Sequence, residues 1–124
     1  MPHVELEGPC DLRSYWEGFE SRIDRSEERI LKTLTAYLEH RGRSLVIEAT
    51  VVEGYLQQTV LVEIVEKDRK ALVRLFHGQR PQKTAGLRSC IGWIAADLIR
   101  RSPGCRWRSD TLGLPASFPP LRSP

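Results

Sequence analysis

The sequence predicts an α+β fold: a two-layer α/β sandwich in which a three-stranded antiparallel meander packs on flanking helices. The order is α-β-β-β-α, with an extra helix at the N-terminus. Three observations carry this reading. Between Ser44 and Phe76, apolar residues recur at every second position: Leu45, Ile47, Ala49 and Val51, then Val60, Val62 and Ile64, then Ala71, Val73 and Leu75. Such alternation, rich in β-branched residues, marks half-buried strands. On either side of this run the apolar spacing widens to three and four, the period of an amphipathic helix.

Residues Met1 to Cys10 read as an N-terminal arm, in which Val4 and Leu6 suggest a short extended piece. Asp11 suits an N-cap, and Leu12, Trp16, Phe19 and Ile23 then follow a helical stripe. The stripe resumes at Ile30, Leu34 and Tyr37, widened by Leu31 and Leu38. The polar run from Asp24 to Arg29 interrupts it, and Asp24 with Glu27 fits a capping box, so two helices are expected between Asp11 and His40. Gly42 ends the second, with His40 and Arg41 in its last turn.

Strand one is expected from Ser44 to Glu53, strand two from Gln58 to Glu66 and strand three from Lys70 to His77. Turns at Gly54–Gln57 and Lys67–Arg69 are short enough to join antiparallel neighbours. The basic loop Gly78–Thr84 then feeds a last helix with the stripe Leu87, Cys90, Ile91, Ile94, Ala95, Leu98 and Ile99. Arg100 and Arg101 close that helix, and Ser102-Pro103-Gly104 stops it. The expected organisation is therefore an arm over 1–10, one α+β domain over 11–104, and a Pro/Ser-rich flexible tail over 105–124.

The chain's 124 residues suffice for one domain, and 40% hydrophobic with 28% charged residues is ordinary for a globular one. No apolar run reaches the roughly 18 residues of a membrane span. The N-terminus lacks the basic start and apolar core of a signal peptide. A cytoplasmic protein is expected, with a nuclear one as the other option, and no membrane partner. The three cysteines, Cys10, Cys90 and Cys105, form no close pair in the sequence, which speaks against a disulfide framework and against Cys-x-x-Cys zinc ligation. Cys90 lies in the last helix's apolar stripe and reads as a small core residue.

The two sheet faces differ. One is almost wholly apolar and must meet the helices. The other carries Val46, Glu48, Thr50, Val52, Leu61, Glu63, Val65, Leu72, Arg74 and Phe76, too apolar a set to stand in water. A cover is expected, from either the Trp16/Phe19 helix or a second copy of the chain. A homodimer is accordingly expected, with Val46, Leu61, Val65, Leu72 and Phe76 at its interface.

Catalysis finds little support. Glu48, Glu63 and Arg74 read as a cross-strand ion pair within a mixed face rather than as metal ligands. His3, His40 and His77 lack metal spacing and a partner nucleophile, and no Gly-rich phosphate loop occurs. No catalytic residue, metal, small-molecule cofactor or enzymatic activity is expected. Net charge is only +3, but 15 of the 19 basic residues are Arg, whose planar fork suits phosphate. Arg80, Lys83 and Arg88 cluster at the start of the last helix, where free N–H groups favour an anion. Arg106, Trp107 and Arg108 interleave an aromatic ring with two guanidiniums, a pattern suited to stacking on bases.

The α-β-β-β-α order over Glu27 to Arg101, with basic residues opening the last helix, is similar to the double-stranded-RNA-binding domain. Of that family's Lys-rich signature, Gln82-Lys83-Thr84-Ala85-Gly86 keeps only Lys83 and Ala85. The resemblance implies recognition of A-form shape and phosphates. The leading expectation is a non-catalytic, dimeric binder of structured nucleic acid, with duplex RNA favoured. The alternative is a protein-interaction or assembly module whose apolar sheet face is its working surface.

Overall fold

The structure, a computed structural model, describes residues 1–114. Seven strands form one antiparallel sheet: β1 (His3–Glu7), β2 (Ile23–Arg25), β3 (Ile30–Leu38), β4 (Ser44–Glu53), β5 (Leu56–Lys67), β6 (Lys70–Leu75) and β7 (Arg106–Asp110). Their spatial order is β2-β3-β4-β5-β6-β1-β7. The sheet curls into a half-barrel. Two helices, α1 (Leu12–Glu17) and α2 (Ala85–Arg101), complete the described residues.

This mainly β architecture overturns the expected α+β sandwich. The expected meander is present as β4-β5-β6, but it is the middle of a larger sheet. Its hairpins are tight. Asp68 (φ 53°) and Arg69 (φ 62°) both take the left-handed conformation that lets a two-residue turn match the strand twist. The arm expected over 1–10 contributes β1, which lies between β6 and β7. The segment expected as a tail contributes β7 and the buried Leu112; its remainder, 115–124, lies outside the described residues.

The largest correction concerns residues 24–40, expected as a helix and observed as β2 and β3. The cause is a β-bulge. Thr33 pairs with Ala49 and Thr35 with Glu48, so Leu34 is an extra residue in β3. Before the bulge the odd-numbered Leu31 and Thr33 point inward. After it the even-numbered Ala36 and Leu38 do. Inward positions 31, 33, 36 and 38 span eight residues with mixed spacing, and together with the outward Ile30 and Tyr37 and the bulged Leu34 they leave apolar residues at three- and four-residue intervals that imitate a helical stripe. Gly42 then sits in the β3–β4 turn, with its N–H on the Glu39 carbonyl at 2.8 Å, instead of ending a helix. With β3 in place of a helix, the resemblance to the double-stranded-RNA-binding domain loses its first element.

The last helix forms as its stripe requires. Thr84 caps α2 by accepting the Leu87 N–H at 3.2 Å, and Arg100 and Arg101 occupy the last turn. The inner sheet face, with Leu45, Ile47, Val62, Ile64, Val73 and Leu6, closes on Leu87, Ile91, Ile94 and Leu98. Each such buried aliphatic side chain stabilises the fold by about 1.5–3 kcal/mol. Both helices lie on this inner face: the Tyr15 hydroxyl of α1 donates to the buried Asp97 of α2 at 2.6 Å. Among the described residues no helix is long and apolar enough to cross a membrane.

Candidate functional site

The outer face of the sheet is built row by row from the strand register. One row reads Tyr37, Val46, Glu63, Arg74 and His3, across β3, β4, β5, β6 and β1. The next reads Ser44, Val65, Leu72, Glu5 and Ser109. Val65 and Leu72 are therefore direct cross-strand partners, and the Phe76 N–H on the Leu61 carbonyl at 2.9 Å places Leu61 and Phe76 together. The apolar residues thus form two cross-strand pairs, Val65/Leu72 and Leu61/Phe76, on either side of the Glu63–Arg74 row, with Val46 opposite Glu63 on β4. Val46, Leu61, Val65, Leu72 and Phe76 are all half-buried, and among the described residues both helices lie on the opposite face.

Charges of both signs lie among these apolar pairs and beside them. Arg74 Nε meets Glu63 Oε1 at 3.3 Å, the cross-strand ion pair that the alternation implies. A depression beside it is lined by Val65, Ala71 and Leu72 together with the charged Glu5, Lys67, Asp68, Lys70 and Arg74. Apolar side chains interspersed with charges of both signs suit a protein–protein contact surface.

The expected helical cover does not lie there. Trp16 and Phe19 sit at the β3 edge, beside Leu34 and Ala36. Trp16 Nε1 donates to the Ala36 carbonyl at 3.1 Å, and Ser21 Oγ donates to the Leu34 carbonyl at 3.0 Å. β2 pairs only with residues 30–32, so these side chains take acceptors that the short strand leaves open. That occupation guards the edge against strand addition.

The expected phosphate site has a different occupant. At the start of α2, Glu53 Oε2 accepts the Gly86 N–H at 3.0 Å, and the Thr84 hydroxyl donates to Glu53 Oε1. A protein carboxylate already answers the positive end of this helix. Gly86 makes that approach possible, since a Cβ there would collide with the carboxylate. Arg80 and Lys83 are exposed, while Arg88 is half-buried with its Nε on the Thr84 carbonyl at 3.3 Å. Arg106 and Arg108 lie in β7 beside carboxylates of β1: Arg106 to Glu7 at 3.2 Å and Arg108 to Glu5 at 3.8 Å. Trp107 packs against the core, and its Nε1 donates to Asp110 at 3.0 Å. The two basic clusters thus belong to different elements, and most of their groups already have protein partners.

Two residues central to the structure escaped the sequence reading. Glu53 looked like the end of a strand, and no local signal ties it to a helix that starts over thirty positions later. Asp97 falls within the segment read as the last helix, between the stripe residues Ala95 and Leu98. It is 3% exposed and holds Tyr15, Arg100 at 2.5 Å and Arg22 at 3.5 Å. Burial, together with the Asp97 carboxylate, pushes the Tyr15 phenol well above the ordinary tyrosine range. A buried Asp inside an otherwise apolar helix was the one available signal. Arg22 also stacks over Trp93, 4.4 Å from the ring centre, which locks the β2 approach to α2.

Among the described residues, no group of three or more His, Cys, Asp or Glu side chains is placed to hold a metal ion. No protein-family model, curated protein or solved structure matches the chain.

Proposed function

We propose that the chain is a non-catalytic assembly module that pairs the outer face of its sheet with the same face of a second copy. One observation carries this reading: Val46, Leu61, Val65, Leu72 and Phe76 gather around the Glu63–Arg74 ion pair on the face opposite both helices. Leaving these apolar side chains in water is unfavourable, and burying them against another protein surface removes that cost. The charges of this face favour a second copy as the occupant. A two-fold contact sets each patch against itself, so the patch must offer both signs of charge, as Glu5, Glu63, Lys70 and Arg74 do.

Binding of duplex RNA fits the same surface poorly, because Glu5, Glu48 and Glu63 would face the phosphates. It fits the start of α2 poorly as well, because Glu53 fills the anion position there. Arg80 and Lys83 remain its support.

Light scattering on the full chain at tens of micromolar tests the proposal. A dimer is expected, and Leu61→Lys with Leu72→Lys should turn it into a monomer that still unfolds cooperatively. A parent chain that is monomeric at that concentration, or a dimer that survives the double substitution, would remove the proposal.

A further inference from the structure

Cys10 and Cys105 are 95 positions apart in the sequence, yet their sulfur atoms lie 2.8 Å from one another. Both side chains are buried, at 1% and 4% exposure. The register of the sheet brings them there. Glu7 of β1 pairs with Arg106 of β7, and the chain beyond each of these residues runs directly into its cysteine.

The backbone is built for close approach at this end. Gly8 (φ 99°) precedes Pro9-Cys10, and Gly104 (φ 89°) precedes Cys105. A Cβ on Gly8 would run into the Gly104 carbonyl, so the two strands' ends touch main chain to main chain. Gly8 N–H bonds the Arg69 carbonyl at 2.9 Å, and Cys105 N–H bonds the Ser102 carbonyl at 3.1 Å, which anchors both loops independently of the thiols. Less than an ångström of further approach separates the two sulfurs from a covalent bond of about 2.05 Å.

We propose that Cys10 and Cys105 are a reversible thiol–disulfide pair, whose oxidised form clamps the start of the domain to its last strand. The oxidant is a small-molecule disulfide such as oxidised glutathione. One of the two protein thiolates attacks one glutathione sulfur, forming a mixed disulfide and expelling one glutathione thiolate. The other protein thiolate then attacks the cysteine sulfur of that mixed disulfide and expels the second. Two protein thiols become one disulfide, the two electrons reduce glutathione disulfide to two thiols, and the protons from Cys10 and Cys105 end on those thiols.

The two thiols share one close contact in which either sulfur can be the donor, so whichever thiolate attacks first, the other resolves the mixed disulfide. Cys90 stands apart, enclosed in the core of α2, and burial alone pushes it up to about 12. It serves as an internal control.

The test is to unfold the full chain and refold it in glutathione buffers from reducing to oxidising, so that burial does not limit access to the thiols. Alkylation of the denatured product counts free thiols, and peptide mass mapping locates any bond. The expected result is three free thiols in the reducing buffers and one, Cys90, in the oxidising ones, with a Cys10–Cys105 peptide. The oxidised chain should melt several degrees higher than the reduced one, because the bond closes nearly the whole domain into a loop. Cys10→Ser and Cys105→Ser should each keep the reduced melting point within a few degrees and lose the shift on oxidation. Three free thiols throughout, a bond to Cys90, glutathione adducts without the internal bond, or an oxidised chain that melts lower than the reduced one would each overturn the proposal. Should a Ser variant fail to fold, thiol counting and mapping on the parent chain still decide.

Discussion

Glu53 at the end of β4 caps α2 from across the fold, with its Oε2 on the Gly86 N–H at 3.0 Å and its Oε1 on the Thr84 hydroxyl. The contact ties strand to helix, and it has a consequence of unusual sign. Glu53→Ala should lower stability by about 1–2 kcal/mol, the usual worth of a cap with its charge at the helix start. Gly86→Ala should also destabilise the parent, because its Cβ displaces the carboxylate. In the Glu53→Ala background the same Gly86→Ala change should stabilise by about 0.5–1 kcal/mol, the ordinary gain of Ala over Gly in a helix. A double-mutant cycle by urea unfolding checks it; additive effects would mean that the two residues do not interact.

Neighbouring residues of β4 should respond very differently to truncation. Ile47 points into the fully closed inner face, and Ile47→Ala should cost about 2–5 kcal/mol. Val46, one position earlier, lies on the outer face and is only half-buried. At concentrations where the chain is monomeric, Val46→Ala should cost under about 1.5 kcal/mol. Denaturation midpoints compared at low and high protein concentration then add a second reading: the cost at Val46 should rise with concentration if the outer face is buried in a dimer.

Tyr15 makes stability depend on alkaline pH. Its folded pKa lies above the unfolded value of about 10. The folded chain therefore holds a proton that the unfolded chain releases, and stability is fully present below about pH 10 and falls as pH rises beyond it. Tyr15→Phe should lower stability by about 1–2 kcal/mol at neutral pH through the lost bond to Asp97. It should also flatten the decline between pH 9 and 11. Urea midpoints measured across that range decide, and an unchanged slope in Tyr15→Phe would mean that another group drives the decline.

A salt series separates the two functional readings. With Glu53 seated at the start of α2 and Arg106 and Arg108 facing Glu7 and Glu5, no steep, salt-sensitive gel shift with duplex RNA is expected. A shift that weakens steeply with salt and vanishes in the Arg80→Ala, Lys83→Ala, Arg88→Ala triple variant would instead establish phosphate contacts at this helix start.

Where strands alternate without interruption, the pattern in the sequence was enough. Leu45 to Leu75 contains three strands whose inward residues follow a strict period of two, and the alternation located β4, β5, β6 and the apolar excess of the outer face. The stripe from Leu87 to Ile99, bracketed by Thr84 and Ser102, likewise located α2. A single extra residue defeated the same reasoning in β3. Leu34 shifts the inward set from odd to even positions, and from sequence alone that shift cannot be told from a helical spacing.

By itself the sequence determined which segments are strictly periodic and which face of each is apolar, because these follow from local side-chain spacing. Only the tertiary structure decided what meets across long separations: β1 pairing with β6 and β7 with β1, Glu53 at the start of α2, Asp97 under Tyr15, and Cys10 against Cys105. Those relationships depend on sheet register and on main-chain approach at residues such as Gly8 and Gly86. No short window of sequence contains both partners of any of them.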